Sequence, residues 1–381
     1  MSQISEDVKM KGELRIVKRN SLGEILQEVT VPNLVVTTGK TFIANRMTSV
    51  SSTTLMTGLM TYMGIGGIIQ MLAGTFIPNK QYVIGYLGNA GAITDFTAFG
   101  ATVSTVGTLF TCNTSSQGTG TGWASPVLTA GFFVPGQAYT IVSLGSTNFT
   151  LIGGVNTLGT TFVATGVGSG SGTAYTSQTA IAPPAITDAI LNNEQLRQPL
   201  TPIAASAMVS GQTYTILTVG TPTAANWTSI GSSNGNVGTS FEKNAVAVSG
   251  STNASVISGG TSSANTVTYG ASFGPVVDGK LIVGQPYILA NPGNATLAQI
   301  QAITGTSLPS YSAGYSFVAA TTGPGTTSLT AGLPIALFEA GLFSTVTFGP
   351  TNSNMLCRTN YSIITKNAGD SIAITWVVTV S

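Results

Sequence analysis

The sequence predicts an all-β protein: a discontinuous β-sandwich, jelly-roll-like in form, with four small β-rich repeat units inserted in its loops. Three observations predict this fold class. Charged residues make up 7% of the 381-residue chain and hydrophobic residues 43%, a balance that favours a buried core over disorder. The 47 glycines, with abundant Ser and Thr, separate short apolar runs rich in β-branched and aromatic residues. A segment with a strand-like core and a Gly-rich turn also recurs along the chain.

The recurring segment is clearest where Gly-Gln-x-Tyr-x-Ile is followed by Phe-x-x-Ile-Gly, Gly-x-x-Phe and a Gly/Ser/Thr tail. We call its four copies units 1 to 4; they span residues 76–124, 131–177, 206–257 and 282–330. Residues two apart in a strand share a face, so the Tyr and Ile enter one small core, to which Gly-x-x-Phe returns an aromatic ring. The predicted core pairs are Tyr82 and Phe110, Tyr139 and Phe162, Tyr214 and Phe241, and Tyr287 and Phe317.

The units interrupt a host domain, whose predicted parts are residues 1–75, 186–203, 264–276 and 335–381. The host begins with an alternating strand, GELRIVKRN, then a turn at Gly23 and a second strand, ILQEVTV. A short helix is predicted in TTGKTFIANRM, capped near Thr38, with Phe42, Ile43 and Met47 as its apolar residues.

The later host segments are predicted to complete the same domain. DAILNNEQLR is predicted to be a helix or a loop that ends before Pro199, and TVTYGASFGP is predicted to be a strand. Three more strands are predicted in LFEAGLFS, NMLCRTNYSIITK and SIAITWVVTVS. Neither end of the chain alone offers enough strands to close a sandwich. We therefore expect one shared core containing Leu14, Ile16, Phe273, Phe343, Ile374 and Trp376.

The composition excludes several classes of function. The chain has no histidine, which removes Ser-His-Asp and Cys-His catalysis and most zinc sites. The Gly-rich stretch 166–175 lacks the Lys-Ser/Thr of a phosphate loop. Paired carboxylates and lysine chemistry remain as enzyme routes, but a hydrolytic tailspike would need an acid pair that the units do not supply. We expect no enzymatic activity, no cofactor and no metal site.

Charge, hydropathy and cysteine usage bear on the expected partners. A net charge of +1 offers no basic surface for nucleic acid. The apolar run 63–74 is interrupted by Gln70 and is too short to cross a bilayer. We therefore expect neither nucleic acid nor a membrane as a partner. For Cys112 and Cys357, two buried free thiols are favoured over one disulfide.

A buried ion pair is predicted near the C-terminus. Glu339 lies between aromatic residues in FEAGLF, so we expect a partly buried carboxylate paired with Arg358 or Lys366. An ion pair that fixes strand register is favoured here over a catalytic acid. A similar arrangement is expected of Asp188 and Glu194 near Arg197.

These segments resemble structural proteins of tailed-bacteriophage virions. The resemblance rests on the GEL-x-I hairpin with NLVVTTGK, on DAILNNEQLR, on EAGLFS…MLCRTNYSIITKNAGDSIAITWVV, and on the GQ-x-YTI…FT-x-IG…GTTF repeat. It implies a virion component exposed on the phage particle, either a capsid cement (decoration) protein or a tail-fibre-like protein.

The function we predict is architectural: a non-enzymatic protein on the exterior of the capsid that ties neighbouring subunits together. Its expected partners are phage capsid or tail proteins and further copies of itself, with a homotrimer favoured. The alternative is a tail-fibre or receptor-binding adhesin that contacts host surface glycans. Trp123, Trp227 and the unit tyrosines would stack on sugars if exposed, but core packing is favoured.

Overall fold

The computed structural model describes residues 10–37, 39–40, 60–114, 119–177, 184–185, 191, 193–208, 213–220, 226–237, 239–250, 253–258, 261–263, 266–344 and 355–380. The predicted all-β class is confirmed, because antiparallel strands dominate these residues. Helical structure within them includes α1 (Leu297–Thr304) and 3₁₀ helices at Phe96–Phe99, Phe149–Ile152 and Ala205–Ala207. In the helix predicted near Thr38, Thr37, Gly39 and Lys40 are helical, whereas Phe42, Ile43 and Met47 lie outside the described residues.

The host strands form one nine-stranded antiparallel sheet in the order β11-β3-β22-β23-β2-β1-β24-β17-β16. The sheet thus joins strands from both ends of the chain. Their bounds are β1 (Met10–Arg19), β2 (Ile25–Val35), β3 (Tyr62–Ile69), β11 (Glu194–Pro199), β16 (Thr261–Ser263), β17 (Thr266–Phe273), β22 (Ile335–Phe343), β23 (Met355–Lys366) and β24 (Ser371–Val380).

The N-terminal hairpin has the predicted strands. Alternation in β1 buries Leu14 and Ile16, because successive side chains of a strand point to opposite faces. The side-chain Oδ1 of Asn20 accepts hydrogen bonds from the backbone N–H groups of Leu22 (3.0 Å) and Glu24 (2.9 Å). This local bonding fixes the turn between β1 and β2.

Strand β2 connects the two halves of the host sheet. Most of β2 pairs with β1, but its last two residues pair with Arg358 and Cys357 of β23. At the far side, the backbone N–H of Thr201, just after β11, donates to the carbonyl of Gly270 in β17 at 2.7 Å. The sheet therefore curls so that distant strands meet, giving a sandwich-like host. The finer jelly-roll description stays a prediction.

The predicted host core is largely correct, with one exception. Five of the six residues lie in one buried cluster: Leu14, Ile16, Phe273, Ile374 and Trp376. Phe343 is instead buried in a separate small cluster with Val36, Leu191 and Met355. Ala340 and Leu342 of β22 face the host cluster, and successive side chains of a strand point to opposite faces, so Phe343 lies on the other side of the sheet.

The segment DAILNNEQLR was expected to be a helix or a loop, but its last part is a strand. β11 starts at Glu194 and pairs antiparallel with β3, with Glu194 opposite Gly66 and Arg197 opposite Gly64. The glycines of β3 leave room for these long side chains, because a Cβ on Gly64 would lie 2.6 Å from the Glu194 carboxylate. Asp188 lies outside the described residues.

The units contribute the remaining strands: β4 (Met71–Leu72), β5 (Gln81–Tyr86), β6 (Leu109–Thr111), β7 (Trp123–Thr129), β8 (Ala138–Ser143), β9 (Thr161–Val163), β10 (Thr173–Thr176), β12 (Ile203–Ala204), β13 (Thr213–Thr218), β14 (Ser240–Glu242), β15 (Ser255–Ser258), β18 (Val276–Val277), β19 (Pro286–Asn291), β20 (Ser316–Val318) and β21 (Thr330–Gly332).

All four units share one antiparallel strand order. A first strand carries the Tyr, a second carries the Phe, and a third returns on the other side of the first. Next to the third lies a short lead strand, giving the orders β4-β7-β5-β6, β7-β10-β8-β9, β12-β15-β13-β14 and β18-β21-β19-β20. The lead strands β4, β12 and β18 precede the unit boundaries predicted from the sequence.

Unit 2 takes its lead strand from unit 1. The first half of β7 pairs with β4 and β5 as the third strand of unit 1. Its last residues, Val127 to Thr129, pair with β10 of unit 2. Units 1 and 2 are therefore one continuous seven-stranded sheet.

The units differ in how they join the host core. The cores of units 1 and 4 belong to the same buried cluster as the host core. Units 2 and 3 have clusters of their own. Ile257 of unit 3, however, belongs to the host cluster. Units 1 and 4 are therefore packed into the host, unit 2 has a separate core, and unit 3 has a separate core with one contact residue in the host.

Candidate functional site

The predicted Tyr–Phe pairs are direct cross-strand partners in all four units. Each ring lies against its partner, and the eight side chains are buried. The distances between ring centroids are 5.7 Å for Tyr82–Phe110, 6.0 Å for Tyr139–Phe162, 6.4 Å for Tyr214–Phe241 and 6.0 Å for Tyr287–Phe317. These residues fill the cores of the units and are not available to a ligand.

In units 1, 2 and 4 the hydroxyl of this tyrosine also closes the start of the unit. The hydroxyl oxygen accepts a hydrogen bond from the backbone N–H five residues earlier. The bonds are Ile77 to Tyr82 (2.9 Å), Val134 to Tyr139 (2.9 Å) and Ile282 to Tyr287 (3.1 Å). In unit 3 the residue five before Tyr214 lies outside the described residues. This bond gives a physical reason for Tyr at a position where Phe would fill the core equally well.

The core of each unit contains a further apolar residue that the sequence analysis missed. It stands six residues before the Tyr, and in units 1 and 2 its ring lies 4.9 Å from the Tyr ring. The residues are Phe76, Phe133, Met208 and Leu281, all buried. The constant spacing to the Tyr is the signal that could have found them.

Asn79 occupies the place of the repeat glycine in unit 1. Its φ is 63°, and among the described residues it is the one residue other than glycine whose φ is positive. Its backbone N–H donates to the carbonyl of Cys112, as those of Gly136 and Gly284 donate to Ala164 and Ala319. Asn tolerates this left-handed conformation better than most residues. Unit 1 therefore keeps the repeat geometry although its first strand lacks the Gly-Gln signature.

A β-turn precedes the second strand of every unit. Its closing N–H···O=C bonds join Thr108 to Thr105, Thr160 to Thr157, Thr239 to Asn236 and Tyr315 to Ser312. The third residue of each turn is Gly. Its φ is 89°, 75° and 92° in units 1, 2 and 4, as a type II turn requires. We call the residue before that Gly the tip residue.

The tip residue is an exposed aliphatic side chain in three units. Val106, Leu158 and Val237 are 62%, 59% and 61% exposed. In unit 4 the tip residue is the smaller Ala313, which is also exposed. Turn geometry does not call for an apolar side chain at this place.

Glu339 forms a buried ion pair with Arg358. The distance from Nη2 of Arg358 to Oε2 of Glu339 is 2.8 Å, and both side chains are at most 3% exposed. The other carboxylate oxygen accepts the backbone N–H of Asn193 at 2.6 Å, and the Tyr361 hydroxyl donates to the carbonyl of Glu339 at 3.1 Å. The pair thus joins β22, β23 and the start of β11.

Glu194 forms a second buried pair beside the first. Its carboxylate accepts bonds of 2.6 and 2.7 Å from the Arg197 guanidinium, which stacks on the Phe343 ring at 3.7 Å. Glu194 and Glu339 both pair with Gly66 of β3, from opposite sides. Burial, opposed by Arg197 and increased by the Glu339 charge, raises the pKa of Glu194 to about 7.

The alternative partner of Glu339, Lys366, lies elsewhere. Its Nζ donates to the carbonyl of Asn367 at 3.4 Å, and burial lowers its pKa to about 8, although Asp370 acts in the opposite sense. Asp370 forms its ion pair with Lys18 at 3.2 Å.

The two buried pairs can fix strand register but cannot reach a substrate. Each carboxylate is about 1% exposed and occupied by a guanidinium. Among the described residues, no group of three or more His, Cys, Asp or Glu side chains could hold a metal ion, and no helix has the length and hydropathy to cross a membrane. Cys112 and Cys357 are both buried free thiols.

Comparisons with protein-family models, with curated proteins and with solved structures give no match to this chain, with its repeat geometry and its buried ion pairs.

Proposed function

We propose that the chain is a non-enzymatic structural protein of a tailed-phage virion that attaches to the capsid exterior as a cement protein. The observation that carries this proposal is the recurrence of an exposed aliphatic tip residue in three units. Single exposed aliphatic side chains are common and need no explanation. Recurrence at one structural position, where the turn itself does not need it, favours contact with another protein surface.

The rest of the molecule supports an architectural task. The buried carboxylates of Glu194 and Glu339 are each occupied by an ion pair that holds strands together. The chain brings only 13 basic and 12 acidic residues to any interface, so attachment depends mainly on apolar contacts and hydrogen bonds. We expect a homo-oligomer, with a trimer favoured, because closed symmetry is usual for such assemblies.

The test uses particles that lack the protein and purified protein added back. The variant carries V106T, L158T and V237T, which remove apolar surface at the tips; the two Val→Thr changes also keep the side-chain volume. A matched control carries I93T, V167T and V246T, which alter one exposed aliphatic residue in each of the same three units. Occupancy on the particles and resistance of the particles to heat are measured.

The tip variant should bind fewer sites and restore less heat resistance, whereas the control should behave as the original protein. Moderate salt should change occupancy little, because few charges are present to be screened. Equal occupancy of all three proteins would contradict the role given to the tips. Particles that lack the protein, resist heat normally and yet fail to adsorb to cells would favour the alternative, a receptor-binding fibre or adhesin.

A further inference from the structure

Units 1, 2 and 4 meet at a cleft of about 810 Å³. Unit 1 contributes Asn79, Gln81 and Thr111, unit 2 contributes Phe132 from the turn after β7, and unit 4 contributes Thr306 and Tyr315. A second groove of about 850 Å³ shares Thr306 and Tyr315 with the cleft and extends beyond it. The second groove therefore adjoins the cleft and lies between units 1 and 4.

The cleft is held in shape by contacts between units 2 and 4. The side-chain Nε2 of Gln285 donates to the carbonyl of Phe132 at 2.7 Å. The Phe132 ring lies directly on Gly284, where a Cβ would overlap it. The site is therefore formed before a ligand binds, so the free-energy cost of ordering it on binding is small.

Two aromatic rings face this space. Phe132 is 41% exposed although its backbone is fixed. Tyr315 is half-buried; its ring is parallel to that of Phe317 within 9° and edge-on to Tyr311 at 5.1 Å. Its hydroxyl is 3.1 Å from that of Thr306. Both rings are rigid platforms.

Apart from Lys80, the polar side chains that line the cleft are uncharged. In the part of the chain that the structure describes, these neutral lining side chains make no hydrogen bond and are at least partly exposed: Asn79, Gln81, Thr111, Thr129 and Thr173. Their amides and hydroxyls both donate and accept hydrogen bonds. Lys80 is the sole charged residue among those that line the cleft and the second groove.

We propose that this cleft binds a neutral oligosaccharide. A sugar ring packs its C–H face on an aromatic ring and offers hydroxyls at its edge to amides and hydroxyls, which matches rigid rings beside unpaired neutral groups. One lysine among these residues gives no cluster of charge for an anionic ligand. This binding goes beyond the attachment role proposed above and does not depend on it.

The experiment titrates the purified full chain with maltohexaose, cellohexaose and chitohexaose, and with hexagalacturonate as an anionic probe, by isothermal calorimetry. The first variant is N79G with Q81A. Glycine at position 79 suits the fold, because Gly136 and Gly284 have the same conformation in units 2 and 4. The second variant is F132A, and L151A, which changes an exposed residue of unit 2 outside the cleft, is the control.

At least one neutral hexasaccharide should bind, and both cleft variants should weaken it about tenfold or more, whereas L151A should bind as the original chain does. The proposal is overturned if no neutral probe binds at about 10 mM, if hexagalacturonate alone binds, or if the cleft variants bind normally. Circular dichroism of each variant shows that it is folded. Since no virion particle is used, failure here leaves the attachment proposal standing, and failure of attachment leaves this one standing.

Discussion

At the scale of single residues, the tyrosines of units 1, 2 and 4 combine packing with a hydrogen bond. Burial raises the pKa of Tyr139 well above its usual value, opposed by the bond from the Val134 N–H, and raises the pKa of Tyr287 to about 12. The hydroxyls therefore stay protonated at neutral pH and act as acceptors for a backbone N–H group. A buried N–H without a partner is costly, which makes the hydroxyl as important as the ring.

Replacing Tyr139 by Phe should destabilise unit 2 by about 1–3 kcal/mol, because the Val134 N–H loses its buried acceptor. Replacing Phe162 by Ala should cost about 3–5 kcal/mol through the cavity it leaves. Hydrogen exchange of the amides in β8 and β9 measures both effects. Tyr175→Phe is the matched control, since no hydrogen bond of that hydroxyl is seen among the described residues; an equal effect there would refute the explanation.

The buried lysine predicts a pH dependence. Because burial lowers the pKa of Lys366 from 10.5 to about 8, the unfolded chain binds its proton at higher pH than the folded chain does. Stability from this group is present above about 10.5 and is lost as pH falls toward 8. Lys366→Met should remove that slope and raise the free energy of unfolding at pH 7 by up to about 3 kcal/mol. Urea unfolding at several pH values tests it, with the exposed Lys280→Met as control; parallel profiles for all three proteins would exclude this role.

At the scale of elements, sequence patterns predict strands well where alternation is long. β1, β2 and β24 follow from alternating apolar residues, and the first and second strands of the units follow from the Tyr and Gly-x-x-Phe spacing. β11 was not predicted as a strand, because Glu194 and Arg197 break the apolar pattern expected of a buried strand. Both side chains are accommodated in the interior because the residues opposite them in β3 are glycines. The lead strands β4, β12 and β18 are only two residues long, too short to leave a periodic signal.

The β-turn of unit 2 gives a test of backbone conformation alone. Gly159 has a φ of 75°, and a Cβ there would meet no atom within 4 Å. Gly159→Ala should therefore destabilise unit 2 by about 1–2 kcal/mol through backbone strain. Gly159→Asn should cost less, because Asn tolerates this conformation. Gly166→Ala, without positive φ and with ordinary contact to Ile152, is the control in thermal unfolding. A loss as large in the control would mean that packing, and not φ, sets the effect.

At the scale of the whole molecule, the repeat pattern shows that units exist but not how they join the host. The sequence suggests four equivalent insertions, whereas the cores of units 1 and 4 lie in the host core, unit 2 has a core of its own, and unit 3 has its own core but places Ile257 in that of the host. Contacts between distant segments leave no local pattern in the sequence. The same limit applies to Glu339, because only the strand register decides whether Arg358 or Lys366 is its partner. It also applies to the cleft, which forms where three units meet.

Unit 3 should be removable and unit 4 should not. Ile203 and Val256 are cross-strand partners, so a short Gly-Ser linker can replace residues 204–255 across a gap of about 5 Å. This deletion keeps Ile257, which belongs to the host core cluster. The shortened chain should keep a cooperative thermal transition within a few degrees of the original. Replacing residues 276–332 should abolish that transition, because Leu289, Ile303 and Phe317 belong to the shared core. Calorimetry of both chains measures this, and a cooperative transition after loss of unit 4 would contradict it.

The strand that units 1 and 2 share also fixes their spacing. A strand advances about 3.3 Å per residue, so β7 sets the separation and relative orientation of the two units by covalent geometry and not by a flexible linker. The two tips, Val106 and Leu158, therefore act as a bivalent pair with little freedom to reorient. Once one tip binds, the other is presented at high effective concentration to a site at matching distance. A surface whose sites are spaced differently gains nothing from the second tip, so β7 would make attachment selective for the spacing of its target.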